Sequence, residues 1–207
     1  MPEPTRNFAV GLRSLRGACL MLPRLVPMVL FAALASCGAR DSPANQANKG
    51  PAVVETAPAN VRLTSEAFDE GRPIPVQYTC DGADQRPGLS WSDPPAAARS
   101  FALILDDPDA PGGTFGHWGV FDIPVKARSI GEKQRIGTEA SNDFGKSGYG
   151  GPCPPKGHGP HHYHLKLFAL DVASLGLDAD AHVRDVEREA EKHAVGRAEL
   201  IGTYERR

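Results

Sequence analysis

The sequence predicts a mainly β domain, an antiparallel β-sandwich with a late helix packed at its edge. Three observations predict it. Glycine (22) and proline (19) are abundant in a chain of 207 residues, and they fall at turn positions without a period, as expected for short strands joined by turns. The strongest apolar segments, FALIL at 101–105, GVFDI at 119–123 and HLKLFAL at 164–170, have strand length. Only residues 178–194 carry convincing helical spacing.

The first forty residues are of a different composition. Arg6, Arg13, Arg16 and Arg24 precede the apolar run LVPMVLFAALAS, which is short for a membrane span and ends in small residues. Residues 1–36 therefore read as a secretory signal peptide. Leu34-Ala35-Ser36-Cys37 resembles a bacterial lipobox, which makes Cys37 the expected lipidation site. Residues 37–60, rich in Ala, Asn, Pro and Ser, read as a flexible tether, and 61–207 as the folded domain. The expected product is an exported, membrane-anchored lipoprotein of the bacterial envelope, facing the periplasm. Gly38 after the cysteine, in place of an aspartate, favours the outer membrane.

Removing residues 1–36 takes away four Arg and one Glu, so the formal charge moves from −2 to −5. That balance argues against a nucleic-acid partner. Cys80 and Cys153 remain in a compartment where a disulfide persists. Sequence leaves two readings open for them, a bridge or two small buried thiols.

The domain opens with a short strand at 61–63. A second is expected over 71–78, where apolar positions alternate before the turn Cys80-Asp81-Gly82, and a third at 89–91, closed by Asp93-Pro94-Pro95. The FALIL run is continuous enough for a strand buried on both faces. Residues 119–123 form its return strand, ended by Pro124. Residues 126–146 are polar, punctuated by Gly131, Gly137 and Gly145, and read as surface loop with one short helical turn. The 164–170 strand precedes the helix, in which Val183, Val186, Ala190 and Ala194 share a face, acidic residues lie at the start, Lys192 and His193 at the end, and Gly196 as stop. Residues 198–204 finish as a strand.

Two stretches carry chemistry. In DDPDAPGG at 106–113, the prolines stiffen the loop and push Asp107 and Ala110 toward extended backbone, so the carboxylates are held in place. Strand alternation puts His117, Gly119 and Phe121 on one face, with Trp118 and Val120 on the other, where a fixed Asp can orient the His117 imidazole. In GYGGPCPPKGHGPHHYHLKLFALD at 148–171, His161, Tyr163, Leu165 and Leu167 share the core-facing side, and His162, His164 and Lys166 the other. Gly148, Gly150 and Gly151 let the backbone present N–H groups to an anion. A metal site from Cys153, His158, His161, His162 and His164 fits by count but not by alternation, because adjacent strand histidines point apart. Metal-protease and serine-elbow motifs are absent.

The DPDAP run followed by Phe and His-Trp, with GYGGPCPP and a later His-x-Tyr before a strand ending in ALD, resembles the phosphatidylethanolamine-binding protein family, in particular its bacterial Raf-kinase-inhibitor-like branch. PIPVQYTCDG and LSW extend the resemblance from about residue 61 to the C-terminus. It implies a β-sandwich with a small pocket for phosphate-like anions, including phospholipid head groups, with no catalysis, metal or cofactor, and with a kinase or protease as a protein partner. Carried over by position, the implied ligand-binding residues are Asp107, Asp109, His117, Gly151, Pro154, Pro155, His161 and Tyr163. His162 stands where the family motif has Arg, on the outward face. Phosphate oxygens would accept from His117, His161, backbone N–H groups and the Tyr163 hydroxyl, while Asp107 holds an imidazole or a ligand amine. The alternative is a hydrolase using Asp107, Asp109, a histidine and a bound metal.

Overall fold

The structure, a computed structural model, describes residues 61–207. The signal peptide, the lipobox cysteine and the tether lie outside the described residues.

Among the described residues nine strands and one α-helix follow in order: β1 (Arg62–Ser65), β2 (Arg72–Pro73), β3 (Leu89–Ser92), β4 (Ser100–Asp107), β5 (Phe115–Pro124), β6 (Ser129–Ile130), β7 (Thr138–Glu139), β8 (His161–Leu170), α1 (Val183–His193) and β9 (Ala194–Tyr204). They form a three-stranded sheet, β1-β3-β6, and a six-stranded sheet, β2-β9-β8-β4-β5-β7. All pairings are antiparallel except β2 with β9. The sandwich core lies between the sheets, where Leu63, Leu89, Trp91 and Ile130 meet Phe101, Leu103, Leu105, Trp118, Val120, Leu165 and Leu167. A second core lies on the outer face of the larger sheet. There Ala102, Ile104, Phe121, Phe168 and Leu170 pack on Val183, Val186 and Ala190 of α1.

These two cores explain the FALIL run. Every residue of β4 is buried, because β4 lies between β5 and β8 with the sandwich on one side and the helix on the other. The helix covers β5, β4 and β8, further in than the expected edge position. It can approach because β5 carries glycine beneath it: a Cβ on Gly116 would lie 2.2 Å from a Val183 methyl, and one on Gly119 2.9 Å from the other.

Four elements depart from the sequence expectation. The 71–78 strand shrinks to Arg72–Pro73 and turns into a single 3-10 turn at Val76–Tyr78, since Pro73 and Pro75 donate nothing to a ladder. Residues 126–146 contribute two short strands, β6 and β7, because Ile130 is drawn fully into the sandwich core and Thr138-Glu139 pair with Phe121 and Val120. The helix starts at Val183, with the His182 side chain accepting from the Arg184 N–H, and runs straight into β9. Gly196 is therefore a strand residue opposite Ala169, and a Cβ there would meet Pro95 at 2.8 Å.

The fourth departure concerns the site. β4 and β5 slip register between Leu105–Trp118 and Asp106–Gly116, which leaves His117 as the extra residue of a β-bulge. The bulge breaks the alternation. Gly116 and Gly119 both face Val183, whereas His117 turns to the sandwich side, its ring edge-on to Tyr163 at 5.3 Å between centroids. On β8 the alternation holds: Tyr163, Leu165 and Leu167 enter the sandwich core, and His161 is 1% exposed.

Candidate anion pocket

A cavity of about 200 Å³ opens where the β4–β5 loop meets the segment before β8. Its walls are apolar, formed by Ala110 and Pro111 from the β4–β5 loop, Phe115 from the start of β5, Phe144 from the turn after β7, and Cys153, Pro154 and Pro155 from the segment before β8. Asp107, His117 and His161 supply its polar atoms.

Asp107 is the organiser of one side. It is 2% exposed; its Oδ1 accepts from the Asp109 N–H at 2.9 Å, and its Oδ2 accepts from His161 Nδ1 at 2.7 Å. That fixes the His161 tautomer. With the Nδ1 proton committed, Nε2 of the neutral ring accepts from His158 Nδ1–H at 2.8 Å. A carboxylate and two imidazoles thus run in a chain from the buried β4 end to the exposed 154–160 loop.

His117 is oriented differently from the expectation. Its Nδ1–H donates to the carbonyl of Gly150 at 2.8 Å and lies 3.1 Å from that of Gly151, and Asp107 does not bond it. The backbone of His117 is held in turn: its carbonyl accepts from Gly150 N–H at 3.1 Å and from Asn142 Nδ2 at 3.2 Å. Burial holds the His117 pKa below its usual value, against the opposing pull of the Gly150 carbonyl and the Asp107 carboxylate. The ring is therefore neutral at physiological pH, with Nε2 as a lone-pair acceptor.

The glycine-rich loop does not form an open anion nest. Gly148 N–H donates to the Ala140 carbonyl, Gly150 N–H to the His117 carbonyl and Gly151 N–H to Asp84 Oδ1 at 2.6 Å. What these glycines provide is closeness. A Cβ on Gly151 would stand 2.3 Å from the Tyr78 carbonyl oxygen, and one on Gly150 2.5 Å from the Phe144 ring.

The structure brings Asp107, His117, Pro154, Pro155 and His161 together around the cavity. Gly151 stands behind His117 as a carbonyl acceptor. Tyr163 is fully buried beneath the histidine, and among the described residues its hydroxyl has no hydrogen-bond partner; burial and then the Asp107 carboxylate push its pKa up. Asp109 points away. Its Oδ2 accepts from the backbone and Nδ1 of His162 at 2.8 and 2.7 Å, on the outer surface, and the His162 side chain lowers its pKa. The Asp107/Asp109/His cluster required by a metal hydrolase is thus not assembled, and among the described residues no group of three or more His, Cys, Asp or Glu is placed to hold a metal ion.

Sequence reasoning missed Phe144 and weighed His158 only as a metal ligand. Phe144, 43% exposed in a polar turn, stacks edge-on against Phe115 and His117. A large apolar side chain isolated among Asn, Asp, Gly and Lys was the available signal. Cys80 and Cys153 are bridged, with Cα atoms 5.4 Å apart, which settles the pairing left open above and ties the pocket wall to the 79–84 turn. A larger open cleft of about 540 Å³ lies beside Arg86 and Glu139. Its buried guanidinium is already engaged by Glu139 and the carbonyls of Gly131 and Gln134, so it has little left for a ligand.

Comparison with known proteins agrees with this architecture. The family model described as Phosphatidylethanolamine-binding protein matches residues 64–205. A UPF0098 protein of Aquifex aeolicus is 48% identical over 154 residues, covering 72% of this chain and 90% of that protein. A Mycobacterium tuberculosis protein named as a lipoprotein, LppC, is 39% identical over 189 residues, covering 86% of this chain and 92% of its own length. The crystal structure of E. coli YbcL, described as a member of the mammalian PEBP family, superposes with a TM-score of 0.68 at 30% identity, covering 72% of this chain and all of that one. Fold and sequence match agree, and the chain belongs to the phosphatidylethanolamine-binding protein family.

Proposed function

We propose that the domain is a non-enzymatic binding protein whose cavity takes a small phosphate-bearing group. The observation that carries this reading is the Asp107–His161 contact of 2.7 Å at the pocket floor. The carboxylate holds Nδ1 and leaves Nε2 as the nitrogen that meets a ligand; in the doubly protonated ring it offers an N–H to an anionic oxygen. The phosphate oxygen then takes the position held by His158. A cavity of about 200 Å³ suits a phosphoryl group with a few further atoms and leaves acyl chains outside.

The same reading places the domain in an exported, lipid-anchored protein. The Cys80–Cys153 bridge belongs to an oxidising compartment, and the likeness to a lipoprotein-named relative extends over 189 residues.

Calorimetric titration of the full chain with inorganic phosphate and O-phosphoethanolamine tests the pocket. Saturable binding, lost in His161→Ala and indifferent to chelator, is the expected result. No binding, or binding only with added metal, overturns it.

A further inference from the structure

The Cys80–Cys153 bridge has two unlike halves. Cys80 is exposed on the turn after Tyr78, whereas Cys153 is half-buried in the segment before β8. Arg206 distinguishes them further. Its Nε donates to both carboxylate oxygens of Asp81, at 3.0 and 2.9 Å, and its Nη2 lies 2.8 Å from Oδ1. That clamp turns the remaining nitrogen, Nη1, to the Cys153 sulfur at 3.7 Å, and the Gly157 N–H holds the Arg206 carbonyl at 2.9 Å. A sulfur within a bridge is a weak acceptor and gains little from such a donor; a thiolate gains far more, because the bond becomes charge-assisted. The guanidinium is thus placed for the product of bridge opening. Asp81 adjoins Cys80 in the chain, and its charge disfavours a thiolate on that side.

We propose that Cys80 is a thiol-exchange site: a low-molecular-weight cysteine thiol attacks its sulfur, and Cys153 leaves as a thiolate beside Arg206. The incoming thiolate sulfur forms a new S–S bond to Cys80 Sγ as the Cys80–Cys153 bond breaks, the bonding pair departs on Cys153 Sγ, and no proton moves in that step. Both asymmetries select this direction. The attacked sulfur must be reachable, which favours Cys80; the departing sulfur must bear the charge, which favours Cys153, since a thiol of lower pKa leaves faster. The step is reversible in place. Cys80 N–H donates to the Pro152 carbonyl at 3.1 Å, Gly151 N–H to Asp84 at 2.6 Å and the Tyr204 hydroxyl to Asp81 at 2.8 Å, and none of these bonds needs the bridge. The two Cα atoms therefore stay near their 5.4 Å separation, and Cys153 can attack the mixed disulfide, expel the small thiol and restore the bridge. The exchange is independent of the phosphate reading, because neither pocket histidine takes part.

The test treats the folded full chain with reduced glutathione, quenches early samples with N-ethylmaleimide and maps the products by mass spectrometry. The first glutathione adduct should lie on Cys80, at least tenfold over Cys153, with the maleimide on Cys153. Arg206→Gln should slow opening at least threefold, and Arg206→Lys, which keeps the charge, should recover part of the rate. A second measurement needs no bridge. Cys153 in the Cys80→Ser variant should be alkylated with a pH midpoint below that of Cys80 in the Cys153→Ser variant, and adding Arg206→Gln should raise the Cys153 midpoint. An adduct mainly on Cys153, a bridge that glutathione opens only in urea, an opening rate indifferent to Arg206→Gln, or a Cys153 midpoint at or above that of Cys80 overturns the proposal.

Discussion

Asp107 and His161 meet at 2.7 Å with side chains 4% and 2% exposed, so a carboxylate and an imidazole that are 54 residues apart are joined by one buried hydrogen bond. The Asp109 N–H holds the other carboxylate oxygen, which leaves Asp107 no freedom to turn toward a ligand. Asp107 therefore acts on the pocket through His161.

Asp107→Asn tests that role. The amide oxygen keeps one acceptor but loses the carboxylate charge, so the buried contact to His161 Nδ1 is no longer charge-assisted. Phosphate affinity should fall tenfold or more, with a stability loss of about 1–3 kcal/mol. Combined with His161→Ala, the two losses of affinity should be far from additive; additive losses would separate the two residues functionally.

The His117 pKa is lowered in the folded protein, so the unfolded chain binds its proton first as pH falls. The sign follows from that order: the contribution is complete above the ordinary value of 6.5 and is lost on acidification through it, with a slope of at most about 1.4 kcal/mol per pH unit for one proton. Urea unfolding at stepped pH should show this loss, and His117→Phe should flatten it.

Gly151→Ala places a Cβ against the Tyr78 carbonyl and Thr79 backbone, at 2.3 and 3.0 Å, and backbone cannot swing aside. A loss of about 1–3 kcal/mol is expected. The Gly151 carbonyl beside His117 is displaced with it, so phosphate binding should weaken in the protein that still folds. Gly112→Ala, with open space around its Cβ, is the neutral control.

The Cys80–Cys153 bridge spans a sequence separation of 73 residues. Replacing both by Ser should cost about 2–4 kcal/mol through the freed unfolded chain. Pocket geometry should survive, because Cys80 N–H still donates to the Pro152 carbonyl at 3.1 Å and Gly151 N–H to Asp84 at 2.6 Å. Denaturation and phosphate titration of the same double variant separate the two effects; binding changed more than threefold would make the bridge part of the site.

Local chemistry was legible in the sequence wherever the governing interaction was also local. The FALIL run announced a strand buried on both faces, the period of Val183, Val186 and Ala190 announced the helix, and the alternation from His161 to Leu167 put the right side chains in the core. Those patterns depend on spacing along one element. The stiff Asp107 loop and the double proline at 154–155 were equally readable, and all of them reach the cavity wall or floor.

Tertiary structure alone decided what each polar group does there. The bulge at His117 depends on how β4 registers against β5, so no alternation count on one strand reveals that the histidine leaves the face of Gly119. The partners of its Nδ1 come from residues 33 and 34 positions away, and they decide that Nε2 is the nitrogen left for a ligand. The N–H groups of Gly148, Gly150 and Gly151 looked free in the sequence because their acceptors, on Ala140, His117 and Asp84, arrive only when three segments pack. Composition and spacing located the stiff loops and the histidines that build the pocket; the direction of its hydrogen bonds was set by long-range packing, since each buried donor takes whichever acceptor the fold brings to it.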